Sequence, residues 1–246
     1  MTFSHAIVRP PAATFAGGLT TAGLGLPDLP AALAQHAAYV AALEGCGVAV
    51  TGLPPDDRFP DSTFVEDTAV LARGLAVLCR PGAPRRAGEA IRPAIEAFFP
   101  APFGIEAPGT VDGGDVLEAG DHVFVGISER TNEAGASQLA GHLASRGLGT
   151  TLVDVRGTPG LLHLKSGITW LGGRTLALTE SLSSRPEFGA FTRVVVPPGE
   201  EYAANAVLVN GRVLLAAGFP RFEAAVRALG LPVVPLGMSE FQKLDG

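Results

Sequence analysis

Short apolar runs separated by tight turns recur four times along the chain. They give strand–turn–strand patterns at residues 67–78, 115–125, 167–178 and 205–215. Three of the turns contain Gly120-Asp121, Gly172-Gly173 and Asn210-Gly211, which are residues that adopt the positive φ angles of a tight hairpin. The pattern therefore predicts four β-hairpins.

Helical periodicity appears between the hairpins. The predicted helices occupy residues 28–44, 86–99, 131–146 and 221–229, and a glycine follows the first, third and fourth of them closely. In the second, Pro93 has to lie near the first turn, because proline in a helix interior removes a hydrogen bond. Short apolar strands are predicted after three of the helices, at residues 48–50, 151–153 and 233–234.

A unit of hairpin, helix and strand thus repeats about every 40–50 residues, a period typical of closed or stacked arrays. Four units are visible, and Ala6–Arg9 predicts one strand of a fifth, whose other part would lie at the C-terminus. Each hairpin begins beside a polar or small residue, namely Asp67, Asp115, Gly167 and Asn205. If the units surround an axis, these positions converge on one polar site. The alternative is that Asp and Asn merely end strands, but their recurrence favours a site.

The amino-acid composition narrows the classes of function that are expected. The chain has 246 residues, 47% hydrophobic and 17% charged, with a net charge of −6, which is typical of a folded protein. No run of Lys or Arg is present, so nucleic-acid binding is not expected. Cys46 and Cys79 lack metal-site spacing and predict a reducing, cytoplasmic location. No apolar run reaches membrane-spanning length, and the N-terminus lacks signal-peptide features.

An acidic cluster surrounds Phe64. Asp61, Glu66 and Asp67 place three carboxylates within seven residues, beside strand-like apolar sequence. Such a cluster is unfavourable if buried without a cation, and carboxylates match the fork of N–H donors on a guanidinium. The cluster therefore predicts a site for a cationic substrate, with solvated loop acids as the alternative.

Further candidates follow along the chain. Asp112 and Asp115 flank Gly113-Gly114, a pair that allows close backbone approach to a ligand or simply makes a turn. His163 lies between leucines and is either a general acid/base or a core histidine.

Two arginines and a glycine-rich segment complete the candidates. Arg86 and Arg130 are candidates to bind a carboxylate, and surface arginine is the simpler reading of each. Residues 14–26 are glycine-rich and predict either a lid over a site or a plain loop.

Several motifs together resemble the dimethylarginine dimethylaminohydrolase family. They are P-D-S-T-F-V-E-D (60–67), the R-P-G-A-P-x-R turn (80–86), E-A-P-G-T-V-D-G-G-D-V-L (106–117), G-x-S-x-R-T-N (126–132), L-H-L-K-S-G (162–167), A-A-N (203–205) and the segment 238–246. The resemblance runs in order along nearly the whole chain.

The resemblance implies a fold and a reaction. The fold is the α/β pentein fold, a five-bladed β/α propeller with pseudo-fivefold repeats and a central-channel active site, here as a single domain over residues 1–246 that lacks its C-terminal closing strand. The reaction is hydrolysis of Nω-methylated arginine to citrulline and a methylamine, with no metal or organic cofactor. It implies a small-molecule substrate and no nucleic-acid or membrane partner, and it allows a homodimer. Arginine or Nω-hydroxyarginine as substrate, and a non-catalytic arginine or citrulline binder, stay open.

Residue roles also follow from the resemblance. His163 resembles the general acid/base, and Asp112 resembles the acid that orients it. Glu66 and Asp67 would hold the guanidinium, with Phe64 among these acids. The remaining implied contacts are Arg86 and Arg130 on the α-carboxylate, Asp61 and the Leu19 carbonyl on the α-amino group, and the Leu244 backbone near the reacting end.

The nucleophile is the one departure from the family pattern. The family carries a nucleophilic cysteine a few residues after the D-G segment, which here is Asp245-Gly246 at the end of the sequence. Neither Cys46 nor Cys79 fits that motif. The expectation is that residues 1–246 lack the catalytic thiol.

Overall fold

The computed structural model describes residues 2–89 and 91–246. These residues contain fourteen strands: β1 (His5–Val8), β2 (Ala49–Gly52), β3 (Ala69–Ala72), β4 (Leu75–Leu78), β5 (Phe103–Gly104), β6 (Val116–Ala119), β7 (His122–Ile127), β8 (Gly149–Asp154), β9 (Ile168–Trp170), β10 (Thr175–Leu178), β11 (Thr192–Val195), β12 (Val207–Val209), β13 (Arg212–Ala216) and β14 (Val233–Leu236). Their α-helices are α1 (Leu29–Gly45), α2 (Arg92–Glu96), α3 (Glu133–Ala144), α4 (Glu180–Ser183), α5 (Pro220–Ala228) and α6 (Ser239–Gln242).

The strands of the described residues form five small sheets, four of which share one topology. The orders are β3-β4-β5, β6-β7-β8, β9-β10-β11 and β12-β13-β14. In each, the first two strands are an antiparallel hairpin and the third strand pairs in parallel with the second. All four predicted hairpins are therefore confirmed. The fifth sheet is the parallel pair β1-β2, which confirms the strand predicted at Ala6–Arg9 with a start one residue earlier.

Short 3-10 helices precede the four hairpins. They are Val65–Thr68, Gly113–Asp115, Leu164–Ser166 and Glu201–Ala204. Two of them contain the acids that the sequence places at hairpin starts, Asp67 and Asp115, and the third directly follows His163. Because such a turn is tightly wound and leads directly into a strand, it fixes these side chains relative to the sheet.

Three of the four predicted helices form with shifted ends. Helix α1 begins after Asp28, whose side chain accepts the Ala31 N–H at 2.8 Å, and α3 begins after Asn132, which accepts the Gly135 N–H at 2.8 Å. The helix predicted at residues 86–99 is wrong in extent. Residues 84–86 form a 3-10 turn, Gly88 has φ of +95°, and α-helix begins only at Arg92. Ala90, within that predicted helix, lies outside the described residues.

The chain divides into two compact units. The first comprises Met1–Phe64, Gly167–Ser184 and Phe191–Gly246, and the second comprises Val65–Ser166 and Arg185–Ala190. The second unit has a core formed by the inward side chains of β3, β4, β6 and β7 with those of α3, including Val77, Val125 and Leu139. In the first unit, Val213, Leu215 and Phe222 belong to one core cluster. None of the helices within residues 2–89 and 91–246 has the length and apolarity needed to cross a bilayer.

Candidate active site

Asp67 lies at the centre of a buried charge cluster in the second unit. The 3-10 turn Val65–Thr68 points its carboxylate at two donors. The Gly114 N–H donates to Oδ1 at 2.8 Å, and Arg86 Nη1 donates to Oδ2 at 2.5 Å. Burial alone would raise the pKa of Asp67, but the charges of His163 and Arg86 with these hydrogen bonds lower it, so the group is a carboxylate at neutral pH.

The glycine pair between Asp112 and Asp115 permits close packing of this cluster. A Cβ on Gly113 would lie 2.0 Å from the carbonyl oxygen of Glu66, and one on Gly114 would lie 2.9 Å from His163 Cγ. Both distances are far inside van der Waals contact, so only glycine fits. The close approach expected of these glycines is therefore to the protein's own Glu66 and His163.

Arg86 is held on two sides. Glu89 accepts from its Nε at 3.0 Å and from its Nη2 at 2.7 Å, while Asp67 takes Nη1. The Arg86 and Glu89 side chains are only 5% and 1% exposed, so this bidentate pair is screened little by solvent. Burial opposes the charge on Arg86, but the two carboxylates outweigh it and raise the pKa of the guanidinium. Glu89 thereby fixes the plane of the guanidinium.

His163 pairs with Asp112. Its Nε2 lies 3.3 Å from Asp112 Oδ2, and the other oxygen of Asp112 accepts the Gly82 N–H at 2.9 Å. Burial alone would lower the pKa of His163, but the bond to Asp112 and the charges of Asp67, Asp115 and Asp112 raise it to about 9. The imidazole is therefore protonated at neutral pH, ready to donate a proton.

The raised pKa of His163 predicts a pH-dependent stability. A histidine whose pKa rises from 6.5 to about 9 on folding stabilises the protein fully below pH 6.5 and loses that contribution as pH rises through 9. The contribution is on the order of 3 kcal/mol. Urea unfolding of wild type and His163→Gln at about pH 6 and about pH 9.5 measures it. The difference in free energy of unfolding between the two proteins should be smaller at the higher pH; a constant difference contradicts the assignment.

Glu66 and Arg130 have different surroundings. The Glu66 carboxylate is 68% exposed and pairs with Lys165 Nζ at 2.5 Å. The Arg130 N–H donates to Ser128 Oγ at 3.0 Å. A Cβ on Gly82 would lie 2.1 Å from the Arg130 carbonyl oxygen, so the R-P-G-A-P turn packs directly on the Arg130 backbone.

In the first unit, the structure brings together Leu19, Asp61, Phe64 and Leu244. The Leu19 N–H donates to Asp61 Oδ1 at 2.9 Å, and a Cβ on Gly18 would lie 2.8 Å from Leu244 Cδ1 and 2.9 Å from that same Asp61 oxygen. The Phe64 ring lies edge-on to Phe241 with centroids 6.3 Å apart, and Phe64 packs against the apolar cluster that contains Phe241 and Leu244. These four predicted residues therefore form one group within their unit.

One set of described side chains has the donor atoms for a cation. Ligand atoms of Asp67, Asp112 and His163 lie within 4.8 Å of one another. Arg86 already donates to Asp67, and a guanidinium satisfies carboxylates in this spacing as a metal ion would. The geometry thus suits the predicted cationic substrate.

Neither cysteine has the surroundings of a reactive thiol. Burial and the charges of Asp112 and Asp67 raise the pKa of Cys79 well above its usual value, so it stays a neutral thiol at physiological pH. Cys79 lines a cavity of about 590 Å³ together with Glu89 and Arg92. In the first unit, half-buried Cys46 packs against an apolar cluster that includes Leu43 and Val48.

Comparisons with known proteins decide the family. A family model described as arginine deiminase matches residues 90–176. An N(G),N(G)-dimethylarginine dimethylaminohydrolase from Pseudomonas aeruginosa is 43% identical over 99% of this chain and 96% of its own length. The chain belongs to the dimethylarginine dimethylaminohydrolase family. A second member, from Streptomyces coelicolor, is 38% identical over 100% of this chain and 95% of its own length.

A solved structure confirms the fold of this dimethylarginine dimethylaminohydrolase family member. It is the Pseudomonas aeruginosa enzyme, in a cysteine-to-serine variant complexed with citrulline, and it matches with a TM-score of 0.97 and 42% identity over 100% of this chain and 96% of that one. The predicted α/β pentein fold is confirmed, and the five sheets agree in number with five blades. The blade arrangement about a central channel, the single domain and the homodimer stay predictions.

Two features of the cluster were missed from sequence. Glu89 follows Arg86 by three residues, a spacing at which helical side chains meet, and that spacing alone could have indicated the pair. The link between Lys165 and Glu66 joins residues 99 positions apart and leaves no local signal.

Proposed function

We propose that the chain hydrolyses Nω-methylated L-arginine to L-citrulline and methylamine or dimethylamine. Family membership and the citrulline complex of a relative support this reaction. The observation that carries it is the buried cluster in which Asp67, Asp112 and Asp115 surround a protonated His163. Such a cluster attracts a planar cation and supplies a proton donor beside it.

Asp67 and Asp112 are the proposed partners of the guanidinium. Asp67 is already a carboxylate facing a guanidinium, that of Arg86. A substrate cation that enters the cluster shares the carboxylates of Asp67 and Asp112 with His163. The positive charge of that substrate lowers the pKa of His163 from about 9 towards neutrality. The imidazole then exchanges protons readily, as a general acid/base requires.

Arg86 and Arg130 are the proposed partners of the α-carboxylate. Glu89 holds the Nε–Nη2 edge of Arg86, which fixes the plane of the guanidinium. An oriented arginine binds a carboxylate in a preferred direction. Leu19, Asp61, Phe64, Glu66 and Leu244 stay predicted substrate contacts.

The reaction requires a thiolate. It attacks the guanidinium carbon and forms a C–S bond; His163 then protonates the methylated nitrogen as its C–N bond breaks. Water adds to the resulting thiouronium carbon as His163 accepts its proton. The C–S bond breaks as the added hydroxyl loses its remaining proton to solvent, which returns the thiolate and releases citrulline. Asp112 keeps the His163 ring oriented through both proton transfers.

We propose that this thiol lies outside residues 1–246. Cys79 remains protonated at neutral pH, and Cys46 packs in a different unit among apolar side chains. The citrulline complex of the Pseudomonas aeruginosa relative contains a cysteine-to-serine variant of that enzyme.

Product analysis tests the proposed function. The protein is incubated with asymmetric dimethylarginine, arginine and Nω-hydroxyarginine, and citrulline is measured. Citrulline and dimethylamine in equal amounts from dimethylarginine support the proposal, and citrulline from arginine alone contradicts it. Intact mass before and after reaction with 2-chloroacetamidine locates the reactive thiol. Turnover by protein whose mass corresponds to residues 1–246 alone contradicts an external nucleophile.

The orientation of Arg86 by Glu89 gives a prediction about carboxylate recognition. Glu89→Gln should weaken binding of arginine about tenfold, because the neutral amide no longer fixes the guanidinium. Binding of arginine amide, which lacks the carboxylate, should change much less. Calorimetry on both ligands with wild type, Glu89→Gln and the exposed control Glu96→Gln measures the coupling. Equal losses for the two ligands would show that Glu89 supports only the fold.

A further inference from the structure

Asp115 is a fully buried carboxylate to which the proposed chemistry assigns no substrate contact and no proton transfer. It ends the 3-10 turn Gly113–Asp115 and is 0% exposed. Its Oδ2 accepts from Ser128 Oγ and from Thr131 Oγ1, each at 2.7 Å, and its Oδ1 accepts the Leu164 N–H at 2.9 Å. Two other segments of the second unit, residues 128–131 and the turn at Leu164, therefore meet on this side chain.

The direction of these hydrogen bonds is fixed by their neighbours. Ser128 Oγ accepts the N–H groups of Arg130 at 3.0 Å and of Thr131 at 3.1 Å. Thr131 Oγ1 accepts the Asp112 N–H at 3.1 Å. Because a hydroxyl has one hydrogen, each of these hydroxyls donates to Asp115. Both oxygens of Asp115 must then be acceptors, which an ionised carboxylate satisfies and an amide does not.

The residues reached by this network adjoin the candidate active site. Leu164 follows His163, Asp112 is the partner of that histidine, and Arg130 is the proposed carboxylate clamp. Gly126 of β7 packs closely against this carboxylate, since a Cβ there would lie 2.9 Å from Asp115 Oδ1 and 2.8 Å from Leu164 Cβ.

We infer that Asp115 is a positioning residue for the proposed hydrolysis, an obligatory acceptor that sets the backbone of Asp112, Arg130 and the His163 segment in place. It contacts no substrate. The effect of this role on catalysis rests on the proposed function, but the placement of His163 can be measured without turnover. The negative charge of Asp115 also adds to those of Asp67 and Asp112, which together keep His163 protonated.

Asp115→Asn is the direct test. The amide places N–H donors against Ser128 and Thr131, so kcat for dimethylarginine should fall about 100-fold with a smaller change in KM. The His163 imidazole, followed by NMR, should titrate at a lower pH because one negative charge is removed. The control Asp121→Asn makes the same acid-to-amide change at an exposed position of the β6–β7 turn.

Two matched variants of Thr131 test the same positioning role in case Asp115→Asn does not fold. Thr131→Ser keeps the hydroxyl and should retain near-wild-type kcat and His163 titration. Thr131→Val keeps the shape but strands the Asp112 N–H, and should lower kcat about tenfold.

The results distinguish failure of the proposed function from failure of the positioning role. Absence of turnover in wild-type protein that carries the reactive thiol refutes the proposed function, while the His163 titration still tests the positioning role. Folded Asp115→Asn with wild-type kcat and an unchanged titration overturns the inference, as does Thr131→Val behaving like Thr131→Ser.

Discussion

Replacement of His163 by alanine should lower kcat for dimethylarginine by a factor of about 10²–10⁴, the range typical of losing a general acid/base. Two proton transfers depend on this ring: donation to the departing amine and acceptance from the attacking water. The substrate should still bind, because Asp67 and Arg86 are unaltered and a positive imidazole is removed from a site that binds a cation. Steady-state citrulline formation measures kcat, and calorimetry with arginine measures binding.

The matched control for that variant is His142→Ala on α3, whose ring stacks on Phe103 and should not affect kcat. His163→Ala with turnover within a few-fold of wild type would show that another group moves the protons. Loss of turnover together with loss of arginine binding would indicate that the variant disrupts the whole cluster.

Asp67→Asn should weaken arginine binding by about 1.5–3 kcal/mol, because a charge-assisted hydrogen bond becomes a neutral one. Binding of citrulline, whose ureido group is uncharged, should weaken less. The structure adds a second effect. Asp67 is the buried partner of Arg86, and breaking such a pair destabilises a protein by about 3–5 kcal/mol when the remaining charge is uncompensated. Glu89 still compensates Arg86, so the loss of stability should lie below that range.

Calorimetry with both ligands and urea unfolding separate these two effects of Asp67→Asn. Asp121→Asn is the control, since its carboxylate is exposed. Equal losses of arginine and citrulline affinity would mean that Asp67 does not recognise the positive charge of the substrate.

The repeating fold was predictable because its signals are local. Hairpin turns need residues with positive φ, and Gly120, Gly173 and Gly211 provide them between alternating apolar runs. The third strands β5 and β11 left no such signal. β5 has two residues, and the apolar residues of β11, Val194-Val195, follow Thr192 and Arg193, which interrupt the apolar pattern. The helix predicted at residues 86–99 was wrong in extent because the prediction gave its apolar periodicity too much weight. Gly88, with a positive φ, interrupts the helix, and Pro93 lies in the first turn of α2.

The candidate site was predictable in its residue types and not in its connections. Acids, a histidine and glycine pairs are visible as motifs, and the structure brings Asp67, Asp112 and His163 together. That Arg86 would lie on Asp67 and Glu89 depends on two turns meeting in space. The acceptor role of Asp115 depends on which atoms already use the hydroxyls of Ser128 and Thr131, and only tertiary structure determines that.

The ion pair of Asp67 with Arg86 bears on the choice of denaturant. Guanidinium chloride consists of the very cation that this cluster is proposed to recognise, and a ligand of the native state stabilises it before the denaturing effect prevails. Unfolding curves in that salt would then depart from linearity at low concentration, and their extrapolation to water would be biased. Urea carries no charge to compete with Arg86, so stability differences among variants of this chain belong in urea.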